Sequence, residues 1–219
     1  MQIKFLISSN ISYINKTKDK IVNSLVESGV DINNIYIFVG GYDKDYGYQK
    51  LSEDLNIYSA PHSSFEYNGL ISVIEQNIKS DFWFLLHDTC YVGPDFYKNV
   101  LSHDYTDANV VRLMMGGRSS NIASMSWDYI QQIKDKVMSY KNTNLDGVSL
   151  QELKKLIVND EDRFLFPSNH YYCKNPPIIL EPIDFYGNGV LRQIENYFEL
   201  DLYKVKANWY HKPNWELKV

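Results

Sequence analysis

Short apolar runs alternate with helix-spaced apolar positions over the first part of the chain. Four runs rich in β-branched and aromatic residues predict buried strands, because each gives way to glycine or to turn-forming residues. These runs are Ile3–Ile7, Ile35–Val39, Asn56–Ala60 and Asp81–Leu86. Between them, apolar residues recur every three or four positions over 15–28 and 68–78, which predicts two helices. The order strand, helix, strand, strand, helix, strand indicates an α/β fold with a mostly parallel central sheet.

The second half of the chain has a less regular pattern. It predicts a strand at 109–114, helices at 127–140, 150–158 and 189–198, and an aromatic tail over 204–219 that packs on the body. Prolines and glycines between 167 and 190 indicate loops and edge strands. Because no repeat or long linker divides the chain, we predict one domain over residues 1–219.

Composition and charge narrow the possible classes of function. With 44% apolar and 22% charged residues in 219, the chain is typical of globular proteins. The net charge of −5 argues against a nucleic-acid partner, and no apolar run is long enough for a membrane span. The apolar run at the start is too short for a signal peptide, so we expect a cytoplasmic protein in which Cys90 and Cys173 are reduced thiols.

Polar residues follow three of the predicted strands. They are Ser8-Ser9-Asn10, Asp43 and His87-Asp88-Thr89. In open, mostly parallel sheets, ligands bind beyond the carboxyl ends of the strands. The sequence therefore predicts a binding site at this edge, held rigid by the sheet.

One segment carries a resemblance to a known family. The strong strand from Asp81 to Leu86 ends in His87-Asp88-Thr89, and Gly93-Pro94 then precedes a new helix. This resembles the metal-binding DXD region of GT-A glycosyltransferases, and the helix start at Phe65–Leu70 is similar to the segment that leads into it. The resemblance covers roughly residues 1–130.

The resemblance implies a GT-A-like, or Rossmann-like, fold with a mostly parallel sheet flanked by helices. Residues 1–115 would be the half that binds a nucleotide-sugar, and 116–219 the acceptor-side half with the C-terminal tail. The implied enzyme is a glycosyltransferase that moves a sugar from a nucleotide-diphosphate sugar to a hydroxyl of a glycan, glycoprotein or lipid.

The resemblance also implies a metal ion. Asp88 would hold Mn²⁺ or Mg²⁺ beside the diphosphate leaving group, whose developing charge the cation neutralises. The family usually has two acids flanking one residue, whereas His87-Asp88-Thr89 has a single carboxylate. His87 would then assist, and His211 is the candidate for a second metal ligand. A site without metal, and Asp88 as a simple cap of a turn, stay open as alternatives.

The resemblance to GT-A glycosyltransferases also implies that other residues bind the nucleotide-sugar donor. They are Ser8, Ser9, Asn10, Asp43, Glu66, Asn68, His87, Gly116 and Gly117. The two glycines would let the backbone approach the donor sugar closely. Local structure offers competing explanations, since Ser8-Ser9-Asn10 favours a turn, Asp43 fits a solvated loop and Asn68 fits a helix N-cap.

The reaction also needs a base to deprotonate the acceptor hydroxyl if the configuration is inverted. Glu161 and Asp162 are the catalytic candidates, because they lie in the acidic cluster of the second half. Asp184 competes with them, and three consecutive acids are also typical of a solvated helix end. The sequence leaves inversion or retention of configuration open.

Two other functions compete with a glycosyltransferase. The first is a non-catalytic nucleotide-sugar or glycan-binding module of the same fold. The single carboxylate of His87-Asp88-Thr89 favours this alternative. The second is a nucleotidyltransferase, which would normally carry a basic, glycine-rich loop where this chain has Ser8-Ser9-Asn10. Motifs of dinucleotide-binding, P-loop and zinc-dependent enzymes do not occur.

Overall fold

A computed structural model describes residues 1–115, 121–143, 152–153, 155–157 and 166–210, with the backbone alone for 207–210. Within these ranges the chain forms a seven-stranded mixed sheet flanked by helices and a separate four-stranded sheet. The predicted binding site lies at one edge of the first sheet, and the second sheet lies next to that edge.

The first half forms the predicted elements in the predicted order. The strands are β1 (Ile3–Asn10), β2 (Ile35–Gly40), β3 (Asn56–Ser59) and β4 (Phe82–His87). The helices are α1 (Ile14–Glu27) and α2 (Asn68–Glu75), and 3₁₀ turns cover Ile32–Asn34, Lys44–Tyr46 and Phe65–Tyr67. All four strands run parallel, since β1 pairs with β2 and β4 and β2 pairs with β3.

The second half contributes shorter elements. They are β5 (Cys90–Val92), α3 (Phe96–Ser102), β6 (Val110–Met114), β7 (Ala123–Ser126), α4 (Trp127–Gln132), α5 (Lys134–Met138), β8 (His170–Cys173), β9 (Ile178–Ile183), β10 (Arg192–Tyr197) and β11 (Leu202–Tyr210). The helix predicted over 127–140 is interrupted at Ile133, whose φ of −95° and ψ of 6° separate α4 from α5. Of the helix predicted over 150–158, only 152–153 and 155–157 are described, and they are helical.

The large sheet has the order β3-β2-β1-β4-β7-β6-β8. In this described sheet β7 alone runs antiparallel to its neighbours, so the mostly parallel α/β sheet predicted from the sequence is confirmed. Strands β2 and β3 lie on one side of β1, and β4, which follows them in the sequence, lies on the other side. The carboxyl ends of β1 and β4 therefore form the topological switch point, where such sheets bind ligands.

The small sheet corrects two predictions. It has the order β5-β11-β10-β9, with antiparallel pairing throughout. The helix predicted over 189–198 is wrong, because β10 is held by hydrogen-bonded strands on both sides. Residues 202–210 are likewise an inner strand of this sheet instead of a tail lying on the body. Since β5 starts three residues after β4 ends, the small sheet extends from the switch point itself.

The alternation of side chains along β1 and β4 builds the core on both faces of the large sheet. Phe5 of β1 and Phe84 of β4 pack with α1 in one buried cluster. Leu6 and Trp83, their neighbours in sequence, pack with α2 in the other. Because a strand alternates faces at every residue, this pattern also determines which way the polar residues at the strand ends point.

Candidate functional site

The switch point brings polar groups from β1 and β4 side by side. Ser8 lies opposite His87 in the parallel register of the two strands. The alternation of the core continues here, so Ser9 and Asp88 face α1, whereas Ser8 faces α2. The predicted site residues thus divide between the two faces of the sheet.

On the α1 face, Asp88 is held by two hydroxyl groups. Ser9 Oγ donates to Asp88 Oδ2 at 2.6 Å, and Thr17 Oγ1 of α1 lies 3.4 Å from the same oxygen. Burial raises the pKa of the Asp88 carboxyl, and the hydrogen bonds from Ser9 and Thr17 oppose this rise without cancelling it. Asp88 therefore ties the end of β4 to β1 and α1 through neutral donors.

The described residues do not by themselves complete a site for a divalent cation at Asp88. Mg²⁺ at a phosphate site is commonly held by one or two carboxylates, with substrate phosphates and water as its other ligands. Among the residues that the structure describes, no group of three His, Cys, Asp or Glu side chains could hold a metal ion. Asp88 Oδ2 accepts from Ser9 and Thr17, and His211, the other predicted ligand, lies outside the described residues.

His87 has an unsatisfied buried nitrogen. Its Nε2 is buried and finds no hydrogen-bond partner among the described residues. Burial lowers the pKa of His87 well below its usual value, and the charges of Lys204 and Lys206 act in the same direction. A side-chain interaction with Asn121 works against them. The imidazole is therefore neutral at pH 7, and its Nε2 is a buried polar atom whose hydrogen-bonding capacity is unused among the described residues.

Two lysines that sequence reasoning missed lie beside His87. Lys204 and Lys206 occupy β11, and Lys204 is only 8% exposed. Lys206 Nζ lies 3.5 Å from Glu195 Oε2, which also accepts a hydrogen bond from Tyr197. Burial lowers the pKa of Lys204, and Glu195 is among the groups that oppose this. The sequence signal was two lysines spaced by two within an otherwise apolar and aromatic segment.

On the α2 face, Ser8 and Asn68 support the start of α2. Ser8 Oγ donates to the carbonyl oxygen of Glu66 at 2.6 Å and accepts from the Gly69 amide at 3.0 Å. Asn68 Nδ2 donates to the Ser9 carbonyl at 3.1 Å, while its Oδ1 accepts from the Ser64 amide at 2.6 Å. These buried polar groups position α2 on the end of β1.

Glu66 lies in the 3₁₀ turn before α2 and contacts Asn121. Its Oε1 accepts a hydrogen bond of 3.1 Å from Asn121 Nδ2. Because Asn121 also interacts with His87, its side chain links Glu66 to His87. Asn121 is a second site residue that sequence reasoning missed.

Asn10 and Asp43 order the turns that follow β1 and β2. Asn10 Oδ1 accepts from the Ser12 amide at 3.0 Å, and Asp43 Oδ1 accepts from the Asp45 amide at 3.1 Å. Beside Asp43, the rings of Tyr42 and Tyr46 stack with centroids 4.8 Å apart. These turns form the outer rim of the switch point.

The remaining predicted site residues lie outside the described part of the chain. They are Gly116, Gly117, Glu161, Asp162 and His211. Their roles stay predictions. The backbone of β11 ends at Tyr210, so the strand carrying the two lysines leads directly to His211 in the sequence.

Cys90 does not have the environment of a nucleophile. Burial raises its pKa to about 11, and the buried thiol of Cys173 has its pKa raised to about 12. Both are free cysteines. Since thiolate is the reactive form, both thiols are inert at neutral pH.

A surface groove of about 480 Å³ lies at the opposite end of the large sheet. It is lined by Gln2, Lys79, Ser80, Asp81, Phe82, Ser126, Trp127 and Asp128. Gln2 and residues 79–82 lie at the amino ends of β1 and β4, and residues 126–128 lie at the end of β7 and the start of α4. Because ligands of parallel sheets bind at the carboxyl ends, the switch point is the better candidate site.

Comparisons with known proteins give distant structural neighbours. No protein-family model matches the chain, and no curated protein matches its sequence. Residues 1–349 of S. aureus TarS, solved with UDP-GlcNAc, are 13% identical with a TM-score of 0.38, over 62% of this chain and 47% of that one. The glycosyltransferase GlyE of Streptococcus pneumoniae TIGR4 is 9% identical with a TM-score of 0.38, over 74% and 44%.

This chain spans less than half the length of these solved structures. At such identities and TM-scores, the functional argument rests on the chain's own residues. No helix in the described ranges is long and apolar enough to cross a membrane.

Proposed function

We propose that the protein is a glycosyltransferase that transfers a sugar from a nucleotide-diphosphate sugar to a hydroxyl acceptor. One observation carries the proposal: the strand order reverses between β1 and β4, and both strands end there in polar residues. A switch point of this kind is the usual ligand site of an open α/β sheet. The resemblance of the 81–97 segment to GT-A enzymes specifies the class of ligand.

Different site residues are assigned to different parts of the donor. We assign the nucleoside to the rim formed by Asn10 and Asp43, beyond β1 and β2. We assign the diphosphate to His87, at the end of β4. The contacts of Asp88 with Ser9 and Thr17 fix the end of β4 against β1 and α1. A rigid frame of this kind keeps hydrogen-bond donors aimed at the leaving group without reorganisation during the reaction.

The acceptor side of the site rests on predicted residues. Glu161 or Asp162 would deprotonate the acceptor hydroxyl in an inverting reaction, and Gly116 and Gly117 would border the donor sugar. Mn²⁺ or Mg²⁺ at Asp88 and His211 stays a prediction from the sequence, with a site that needs no metal as its alternative. The acceptor would be a glycan, a glycoprotein or a lipid.

A non-catalytic nucleotide-sugar-binding module is the second candidate. It is favoured by the contacts of Asp88, whose carboxylate is used to join β4 to Ser9 and Thr17. Hydrolysis of the donor separates the two functions. A transferase releases nucleoside diphosphate slowly to water, whereas a binding module leaves the donor intact over hours.

A thermal-shift screen tests the proposal first. UDP-, GDP-, dTDP- and CMP-linked sugars would each be added to the full chain, with Mn²⁺ or with EDTA. A ligand at 100 times its dissociation constant stabilises a protein by about 2.7 kcal/mol, which raises Tm by about 5–10 °C at this chain length. We expect one nucleotide class to give this shift. If no donor raises Tm in either buffer, the proposed function is wrong.

A further inference from the structure

We propose that Lys204, Lys206 and His87 form the diphosphate-binding subsite, and that the two lysines supply its positive charge without a divalent cation. This inference rests on the proposed function, because it assigns the charge of the donor's diphosphate to particular residues. It follows from where β11 runs, from an unsatisfied atom on His87 and from the balance of charge around them.

The small sheet places both lysines beside the end of β4. Lys204 is the register partner of Cys90, which follows His87 by three residues. The amide of Val205 donates to the carbonyl oxygen of Thr89 at 3.0 Å. Lys204 is also the register partner of Glu195, and Lys206 Nζ lies 3.5 Å from Glu195 Oε2, so both lysines lie on the Glu195 side of β11. Both lysines act electrostatically on His87.

His87 supplies the second, independent observation. A buried polar atom without a hydrogen-bond partner is costly in a folded protein and calls for a physical explanation. Nε2 of His87 is such an atom among the described residues. In the tautomer that carries its proton on Nε2, His87 would donate a hydrogen bond to a phosphate oxygen beside it, and this would satisfy the nitrogen. The same oxygen would lie within the electrostatic field of the two lysines.

The surrounding acids explain how two lysines can lie here before a ligand binds. Glu195 is 3% exposed and pairs with Lys206, and both Glu195 and Glu66 interact electrostatically with Lys204. These two carboxylates offset part of the repulsion between the two ammonium groups before a ligand binds. An ammonium group has three donors, so Lys206 can keep its contact with Glu195 while it also binds an anion. Lys206 is the more exposed of the two, with 26% of its side chain accessible.

The decisive experiment measures binding of UDP, GDP and dTDP, and of the matching nucleosides, by calorimetry on the full chain. Each titration is done in EDTA and in Mn²⁺. We expect one diphosphate to bind in EDTA with a dissociation constant within about threefold of the value in Mn²⁺. A charged hydrogen bond contributes about 1.5–3 kcal/mol, so Lys206→Met should weaken diphosphate binding by about tenfold or more. The affinity for the nucleoside should not change.

Two further variants keep the test interpretable. Lys98→Met removes the same charge from an exposed lysine of α3, 81% accessible, and should bind the diphosphate like the wild type. The double variant Lys206→Met with Glu195→Gln removes both partners of the pair and leaves no unpaired carboxylate there. It should fold, and it should show the same loss of diphosphate affinity.

The outcomes separate this inference from the proposed function. Diphosphate binding that requires Mn²⁺ and is unaffected by Lys206→Met would overturn the lysine subsite and leave the glycosyltransferase proposal standing. If no nucleotide and no nucleotide-sugar binds in either buffer, both proposals fail. An equal loss of nucleoside and diphosphate affinity in Lys206→Met would also overturn the subsite, since it would indicate a general structural effect.

Discussion

Asp88 joins three elements at the switch point, and two substitutions separate its charge from its hydrogen bonds. Asp88→Ala removes the acceptor of Ser9 Oγ and of Thr17 Oγ1. Thr17 keeps its hydrogen bond to the carbonyl oxygen of Tyr13 at 3.2 Å, whereas no second acceptor replaces Asp88 for Ser9 in the described contacts. Leaving one buried hydroxyl unsatisfied costs about 1–3 kcal/mol. We therefore expect Asp88→Ala to lower Tm by about 2–12 °C.

Asp88→Asn should behave differently. The amide oxygen of asparagine still accepts from Ser9, but it carries no charge. Burial raises the pKa of Asp88, so the folded state binds a proton more tightly than the unfolded state. The wild type then loses stability as pH rises from the unfolded pKa of about 3.9 through the higher folded pKa. Asp88→Asn should be at least as stable as the wild type at pH 7 and equal to it at pH 3.

The assay is thermal unfolding followed by circular dichroism between pH 3 and pH 7, for the wild type and both variants. Ser80→Ala, a substitution far from the switch point, serves as a control for loss of a hydroxyl. The reasoning is refuted if Asp88→Ala unfolds like the wild type. It is refuted equally if Asp88→Asn is destabilised as much as Asp88→Ala at pH 7, because the negative charge itself would then be required.

Three further predictions concern α2, a buried histidine and the candidate bases. A Cβ at Gly69 would lie 2.8 Å from Leu6 Cγ, so Gly69→Ala should destabilise the fold by about 1–3 kcal/mol in urea unfolding, and an unchanged midpoint would contradict this. Burial lowers the pKa of His62 to about 4, so wild-type stability should fall as pH drops from about 6.5 toward 4, whereas a His62→Gln variant should lack this slope. Either Glu161→Gln or Asp162→Asn should abolish sugar transfer while nucleotide-sugar binding is kept, and full activity in both variants would exclude the pair as bases.

The first half of the fold could be predicted because its signals are local. Strands β1, β2 and β4 are buried on both faces, so the sequence of each is a short continuous apolar run. Helices α1 and α2 each bury one face, which gives apolar positions at helical spacing. That the polar ends of these strands share one edge also followed, since parallel strands place their carboxyl ends at the same edge. The strand order that makes this edge a switch point did not follow from the sequence.

The small sheet could not be predicted in the same way. Arg192 and Glu195 of β10 are buried, although charged residues in a local sequence pattern predict exposed positions. Strand β5 has only three residues, and its partner β11 comes near the end of the described chain. Pairing between segments so far apart in sequence leaves no local periodicity.

The same limit applies to the site. The polar residues that end β1 and β4 could be predicted, because each one follows its own strand. Lys204 and Lys206 reach His87 only through the pairing of β11 with β5. Asn121 likewise meets Glu66 through the fold and not through proximity in sequence.

Hydrogen exchange measured by mass spectrometry tests the central claim most directly. Exchange would be compared with and without the nucleotide-sugar that stabilises the chain most in the thermal screen. We predict protection at the carboxyl ends of β1 and β4, over residues 8–12 and 86–91, and in β11 around 204–206. Protection confined to the opposite groove, around residues 79–82 and 126–128, would contradict a nucleotide-sugar site at the switch point.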